Sequence, residues 1–147
     1  MNRLIVAIIA GIAVFSGALT LAQTAGDDAL PKGFKTTPVI KSALTRGGMK
    51  FAYPNTDKPE IVVVIGELEA GGQTALHQHP VPTVVYVLEG TITVQSQGGP
   101  AAEYKAGQAF VEDIKQTHQA FNKTRTAAKI LVVYAGEEGK PTAIAVK

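Results

Sequence analysis

From about residue 38 onward the chain is a succession of short runs rich in valine, isoleucine, threonine, tyrosine and phenylalanine. Glycine, proline, asparagine and aspartate separate these runs, and no segment has convincing helical periodicity. β-Branched and aromatic residues favour pleated strands, and glycine suits the tight turns between them. Evenly spaced short strands of this kind predict an all-β sandwich or barrel. The clearest predicted strands are 61–65, 84–88, 91–94, 108–111 and 130–134.

Two of these runs, 84–88 and 91–94, are separated only by Glu89 and Gly90. This spacing predicts two strands that meet at a tight turn and pair as a hairpin. In the second run apolar and polar residues alternate, so only one of its faces is expected to point into the core.

The run 84–88 is apolar on both faces, with Val85 and Val87 on one side and Tyr86 on the other. A small barrel covers only one face of a strand with its own interior. The outer face therefore needs a second cover, either the N-terminal segment around 39–40 or another subunit. We expect the protein to form a homodimer.

The first 22 residues have the layout of a secretory signal peptide. Arg3 supplies a positive charge, residues 4–22 are almost wholly apolar, and small residues offer cleavage sites after Ala22 or Ala25. An uncleaved membrane anchor is the alternative, because the 19 residues of 4–22 are near the minimum that spans a bilayer. The sequence thus predicts a periplasmic or secreted bacterial protein with a signal peptide (1–22), a flexible linker (23–37) and a β-barrel domain (38–147).

Charge and cysteine content narrow the classes of partner. The chain has 14 basic and 12 acidic residues, a net charge of +2, and no basic cluster, so we expect no nucleic-acid partner. Membrane contact is expected only through the N-terminal segment, if that segment is kept. No cysteine is present, which excludes both a disulfide framework and thiolate ligands to a metal.

The three histidines of the chain are His77, His79 and His118. In an extended segment His77 and His79 point to the same face, because side chains on a strand alternate. Two imidazoles about 6 to 7 Å apart along a strand can converge on one metal ion. His118 lies after further strands and must be brought to the pair by folding.

The spacing around these histidines resembles the two sequence motifs of the cupin family. The first motif, which joins a glycine, His-x-His, a glutamate and a second glycine, is matched by Gly71, His77, His79 and Gly90. The second motif is matched by Gly107, His118 and Asn122, whereas Asp113 and Lys115 stand where proline and glycine are usual. The resemblance covers about residues 61–134 and implies a jelly-roll β-barrel that binds one divalent metal ion through His77, His79 and His118.

Thr83 stands where the family has its carboxylate ligand, so the resemblance implies a three-histidine variant of the site. A threonine hydroxyl is a poor metal ligand, but it can hydrogen-bond to a metal-bound water or simply fill space. Glu112 lies two residues after Phe110, so in an extended segment the two side chains point to the same face. Glu112 can therefore face the cavity as a ligand or base; the alternative is an exposed charge in a loop. Thr83 and Glu112 are the candidate catalytic residues.

Three neutral imidazoles leave the full charge of a divalent ion uncancelled, so such a site favours anionic ligands. Nitrogen ligands suit several metals, and iron, zinc, nickel, manganese and copper all stay open. The resemblance implies dioxygenase-like chemistry on a small anionic molecule as one function. A non-catalytic periplasmic module that binds or senses a metal or small ligand is the alternative, and zinc-hydroxide hydrolysis or lyase chemistry is a third.

Overall fold

The computed structural model describes residues 32–146, and all of their regular secondary structure is β. The predicted signal peptide (1–22) and most of the predicted linker (23–37) lie outside these residues. The structure has no helix, over the part of the chain that it describes, with the length and apolar character needed to cross a bilayer. The strands are β1 (Pro59–Leu68), β2 (His77–Gln78), β3 (Thr83–Glu89), β4 (Thr91–Ser96), β5 (Ala101–Lys105), β6 (Ala109–Val111), β7 (His118–Phe121), β8 (Ala128–Glu137) and β9 (Ile144–Ala145).

The strands form two antiparallel sheets, which confirms the all-β prediction. The first sheet has the order β1-β8-β3-β6 and the second has the order β5-β4-β7-β2-β9. The longest pairing joins β1 and β8 over ten residue pairs, from Pro59 opposite Glu137 to Leu68 opposite Ala128. All of these strands belong to a compact unit that begins at Thr37.

The hydrophobic core lies between the inward faces of the two sheets. Alternation along β3 buries Val85 and Val87, whereas Tyr86 is only partly buried on the opposite face, as the sequence predicts. Ile92 and Val94 on β4 are the corresponding buried residues of the second sheet. Further core members are Leu68, Phe110, Ala120, Ala128, Ile130 and Val132.

The five strands predicted from the runs are all present, although Gln108 precedes β6 instead of belonging to it. Sequence reasoning missed β2, β5, β7 and β9. Strand β5 has the sequence Ala-Ala-Glu-Tyr-Lys, which is poor in β-branched residues and partly exposed at a sheet edge. Strands β2 and β9 have only two residues each, too few to show any alternation.

The predicted hairpin between the runs 84–88 and 91–94 is wrong. Gly90 does join β3 directly to β4, but β3 belongs to the first sheet and β4 to the second. Gly90 has a φ of 73°, and a Cβ at this position would lie 2.8 Å from the carbonyl oxygen of Ala127. The glycine therefore allows a sharp change of sheet, which lets both strands place their apolar faces in the same core.

The outer face of the first sheet carries an apolar row on β1. Ile61, Val63 and Ile65 are 65%, 54% and 53% exposed. Val63 lies opposite Val133 of β8, which lies opposite Val84 of β3, so the apolar row extends across the sheet. This face is the place where the sequence predicts a second cover.

Candidate metal centre

The second sheet brings the three histidines together at one end of the barrel. His77 on β2 lies directly opposite His118 on β7, and His79 follows β2 by one residue and bridges to Ile114. The ring centroids are 4.5 to 5.1 Å apart. One ligand nitrogen from each ring can be chosen so that the three atoms lie within 4.8 Å of one another. The two histidines of the His-x-His segment thus share a face, as predicted.

Each histidine is oriented by a backbone carbonyl. The contacts join Nδ1 of His77 to the Ala75 carbonyl (2.7 Å), Nδ1 of His79 to that of Thr142 (2.9 Å) and Nδ1 of His118 to that of Gln116 (2.9 Å). A carbonyl oxygen only accepts hydrogen bonds, so Nδ1 carries the hydrogen in all three rings. The lone pair of each ring is then on Nε2, which is the arrangement that metal-binding histidines use.

Burial keeps the rings of His77 and His79 neutral at neutral pH. It lowers the pKa of His79 to about 4, because the surroundings disfavour the charged ring and the bond to the Thr142 carbonyl only partly opposes this. Burial also lowers the pKa of His77, with a smaller opposing effect of the bond to Ala75. Protons therefore do not compete with a metal ion for these rings at neutral pH. The donor set fits a divalent transition metal.

The histidines line a cavity of about 250 Å³ whose walls come from both sheets. Its walls are mainly apolar and include Val64, Leu68, Val85, Phe110, Ile130 and Val132. Besides the histidines, the side chains with titratable groups that line it are Glu67, Glu112 and Tyr134. Glu67 is exposed and pairs with Lys129, whereas Glu112 is only 3% exposed. The parity argument for Glu112 therefore predicted its orientation correctly.

The carboxylate of Glu112 lies between His118 and Arg46. Its Oε1 is 3.6 Å from Nε2 of His118, and its Oε2 accepts a hydrogen bond from Nε of Arg46 at 2.9 Å. The Arg46 side chain is only 6% exposed and also donates to the Ser96 hydroxyl. The carboxylate of Asp113 lies 3.7 Å from Nε of Arg46, so one guanidinium balances two buried carboxylates.

The loop that carries Arg46 is attached to the barrel by its backbone as well. The Arg46 N–H donates to the Val111 carbonyl at 2.7 Å, and the Gly47 N–H donates to Oδ1 of Asp113 at 2.9 Å. A Cβ at Gly47 would lie 2.6 Å from that same carboxylate oxygen. The close approach requires glycine and keeps Arg46 in place behind Glu112.

Thr83 is fully buried but is not among the residues that line the cavity. Its hydroxyl donates to the Val81 carbonyl at 3.0 Å. The Thr83 backbone lies between two cavity residues, because its carbonyl accepts a hydrogen bond from the Glu112 N–H at 2.8 Å and its Cα pairs with that of Tyr134. Thr83 of β3 thus lies in one row between Glu112, which directly follows β6, and Tyr134 of β8.

Sequence reasoning missed two residues of this site, Tyr134 and Arg46. The ring of Tyr134 lies 5.3 Å from that of His79, and burial together with the charge of Glu112 raises its pKa. Alternation along β8 could have found it, since Tyr134 shares parity with the buried Val132. No sequence signal marks Arg46, which lies 66 residues before Glu112 and outside both motifs.

Comparisons with known proteins agree with this architecture. Residues 64–134 match the family model described as the cupin domain. No curated protein matches the sequence. Among solved structures, a Klebsiella pneumoniae protein with a double-stranded β-helix domain is 21% identical, with a TM-score of 0.52 over 64% of this chain and 89% of that one.

Two further structures with this fold are named as enzymes. The polyketide cyclase RemF from Streptomyces resistomycificus is 24% identical, with a TM-score of 0.51 over 63% of each chain. The oxalate decarboxylase of Lactobacillus farciminis is 24% identical, with a TM-score of 0.51, but the match covers 58% of this chain and only 26% of the decarboxylase. At these identities the likeness shows a shared fold.

Proposed function

Residues 64–134 of this chain are a cupin domain, and on that basis we propose that the protein binds one divalent metal ion and acts with it on a small anionic molecule. The ligands are His77, His79 and His118, whose nitrogens converge within 4.8 Å. Iron, zinc, nickel and copper suit imidazole ligands, manganese stays a further candidate, and the site has no thiolate to select among them. A bound divalent ion would supply positive charge that attracts and polarises an anion.

The observation that favours an enzyme is the cavity beside the histidines. A protein that only stores or senses a metal needs neither a substrate cavity nor an acid and a base beside the ion. Here Glu112 and Tyr134 line the same cavity as the triad. The volume of about 250 Å³ is below the roughly 300–1,000 Å³ that is usual for drug-sized ligands, so it suits a small molecule.

The cavity residues have distinct tasks in this proposal. The apolar walls lower the polarity around a bound anion, which strengthens its electrostatic attraction to the ion. The raised pKa of Tyr134 keeps its hydroxyl protonated at neutral pH, so the hydroxyl can donate to an anionic oxygen. A role for Thr83 in the reaction remains a prediction, and its hydroxyl is already bonded to the Val81 carbonyl.

The reaction we propose is a dioxygenase-type oxidation of an enolate, thiolate or carboxylate. The fold neighbours named as enzymes do not select the reaction, because their likeness concerns the fold alone. The test is metal analysis of the protein purified from its own compartment, followed by oxygen-consumption assays with small anions. Stoichiometric metal with oxygen uptake supports the proposal. Stoichiometric metal without turnover of any anion would instead favour the binding or sensing module.

We also propose that the protein is exported to the periplasm or secreted, on the strength of the signal-like residues 1–22. Mass spectrometry of the exported protein is expected to find an N-terminus after Ala22 or Ala25. An intact Met1 in the membrane fraction would favour the anchor instead.

We further propose that a second copy of the chain covers the apolar row of β1. Exposed apolar rows that continue across a sheet mark interaction surfaces. Val63 and Val39 are both 54% exposed, which makes them a matched pair for substitution. Light scattering is expected to show a dimer that Val63→Glu dissociates and Val39→Glu leaves intact. A wild-type monomer at micromolar concentration would contradict the proposal.

A further inference from the structure

The position that the cupin family uses for a carboxylate ligand is Thr83 in this chain, but a buried carboxylate lies directly beside it. Glu112 continues the register of β6 against β3, where its N–H donates to the Thr83 carbonyl at 2.8 Å. Residues opposite each other in an antiparallel pair point to the same face, with Cβ atoms roughly 4.5–5.5 Å apart. The two side chains therefore start from neighbouring points on the inward face of the first sheet.

We propose that Glu112 is the fourth protein ligand of the metal ion, so that the carboxylate of this site comes from the end of β6 instead of from β3. This inference rests on the proposed metal site of His77, His79 and His118. It changes that site from a three-histidine centre to one with three nitrogens and one oxygen.

The distance between Glu112 and His118 fits two ligands of one ion. Oε1 of Glu112 lies 3.6 Å from Nε2 of His118. Two ligand atoms on one tetrahedral ion, each bonded at about 2.0–2.1 Å, are about 3.4 Å apart. Oε1 is therefore at the spacing from Nε2 of His118 that two ligand atoms of one ion have, and Glu112 lines the same cavity as the three imidazoles.

Arg46 gives the two oxygens of Glu112 different surroundings. It binds Oε2 at 2.9 Å, on the side away from His118, and leaves Oε1 toward the histidines. Ser96 and Asp113 in turn contact the guanidinium. Hydrogen bonds of this kind fix the orientation of a metal-ligating carboxylate, so Arg46 is a positioning residue.

Thr83 is compatible with this arrangement because its side chain is small and its hydroxyl already has a hydrogen-bond partner. Thr83 is fully buried, and its hydroxyl donates to the Val81 carbonyl. A glutamate at this position would have to share the row with Glu112. A threonine therefore leaves the carboxylate of β6 alone beside the histidines.

A ligating Glu112 changes the charge of the centre. Three neutral imidazoles would leave a divalent ion at +2, whereas one carboxylate lowers the sum to +1. If Glu112 is a ligand, its loss has opposite effects on two measurable affinities. Loss of the carboxylate weakens binding of the metal and strengthens binding of an anion to that metal.

The test compares Glu112→Gln with Glu103→Gln in the full protein. Glu103 is exposed on β5 and does not line the cavity, so it controls for the loss of one acidic side chain. Zinc affinity is measured by competition with a chelator, and azide affinity is measured in the cobalt-loaded protein by its visible spectrum. Glu112→Gln is expected to weaken zinc binding at least tenfold, to change the cobalt spectrum and to tighten azide binding. Glu103→Gln is expected to leave all three near wild type.

Four further variants complete the test. Glu112→Asp keeps the charge but is one methylene shorter, so it provides a folded comparison if Glu112→Gln does not fold, and its cobalt spectrum should also change. Arg46→Lys should preserve the wild-type cobalt spectrum better than Arg46→Gln. Wild-type zinc affinity and cobalt spectrum in the Glu112 variants would overturn the fourth ligand. Full metal content in His118→Ala would instead overturn the metal site itself.

Discussion

Glu112 and Thr83 lie side by side on the inward face of the first sheet, and the N–H of Glu112 donates to the Thr83 carbonyl at 2.8 Å. Both are buried, with exposed fractions of 3% and 0%. Two carboxylates at these neighbouring positions would repel each other in surroundings that already disfavour charge. The site therefore has room for one carboxylate, which either strand could supply.

This relationship predicts the result of exchanging the two residues. Thr83→Glu alone is expected to lower the free energy of unfolding of the metal-free protein by about 2 kcal/mol or more, because it crowds a full core and adds a second buried charge. The double variant Thr83→Glu, Glu112→Thr is expected to bind zinc more tightly than Glu112→Thr alone. Urea denaturation and chelator competition measure the two quantities. A single Thr83→Glu variant with wild-type stability would contradict the crowding.

Arg46 is expected to be essential for stability. Arg46→Ala leaves Glu112 and Asp113 buried without their cation, and loss of one partner of a buried ion pair costs about 3–5 kcal/mol. Arg125 is exposed and serves as the control, where the same change should alter stability by less than about 0.5 kcal/mol. Urea denaturation compares the two variants. Equal effects would mean that the buried network does not stabilise the fold.

Lys115 has a φ of 57°, in the left-handed region that favours glycine, and the cupin motif usually has glycine at this position. Its N–H donates to the His79 carbonyl at 2.8 Å, so the strained turn lies directly behind a histidine of the site. Lys115→Gly is expected to raise the free energy of unfolding by about 0.5–1 kcal/mol. Lys115→Val is expected to lower it by more than about 1 kcal/mol, since a β-branched residue suits this region worst. Thermal and urea unfolding check the opposite signs.

The metal-free protein is expected to lose stability in mild acid. The pKa of His79 is about 4 in the folded protein and 6.5 ordinarily, so the unfolded chain binds a proton in this window that the folded chain does not. The contribution is complete above pH 6.5 and is lost as the pH falls toward 4, by up to about 3 kcal/mol. His77, whose pKa is also lowered, acts in the same direction.

The measurement is the free energy of urea unfolding of the metal-free protein at about pH 7.5 and about pH 4.5. His79→Gln has no titrating ring at this position, so its stability should change less between the two conditions. A wild-type protein with equal stability at both would show that His79 titrates normally.

Many of the strands and their inward faces could be predicted, because both depend on local composition. The runs in β1, β3, β4 and β8 are long enough for β-branched residues to identify them, and alternation placed Val85 and Ile92 on inward faces correctly. Which strands pair with each other could not be predicted from local composition. The turn at Gly90 is compatible with a hairpin and with a change of sheet, and only the packing of the whole core decides between them.

The sequence by itself determined that His77 and His79 share a face, because they are two residues apart and side chains on a strand alternate. The resemblance to the cupin motifs added His118, which folding places opposite His77. The sequence also predicted that Glu112 can face the cavity, because it lies two residues after Phe110 in an extended segment. Only the tertiary structure brought Arg46 across 66 residues to the carboxylate and set Thr83 beside Glu112. The physical reason is that side-chain direction follows from local backbone geometry, whereas the partners of a buried charge depend on which strands the fold makes neighbours.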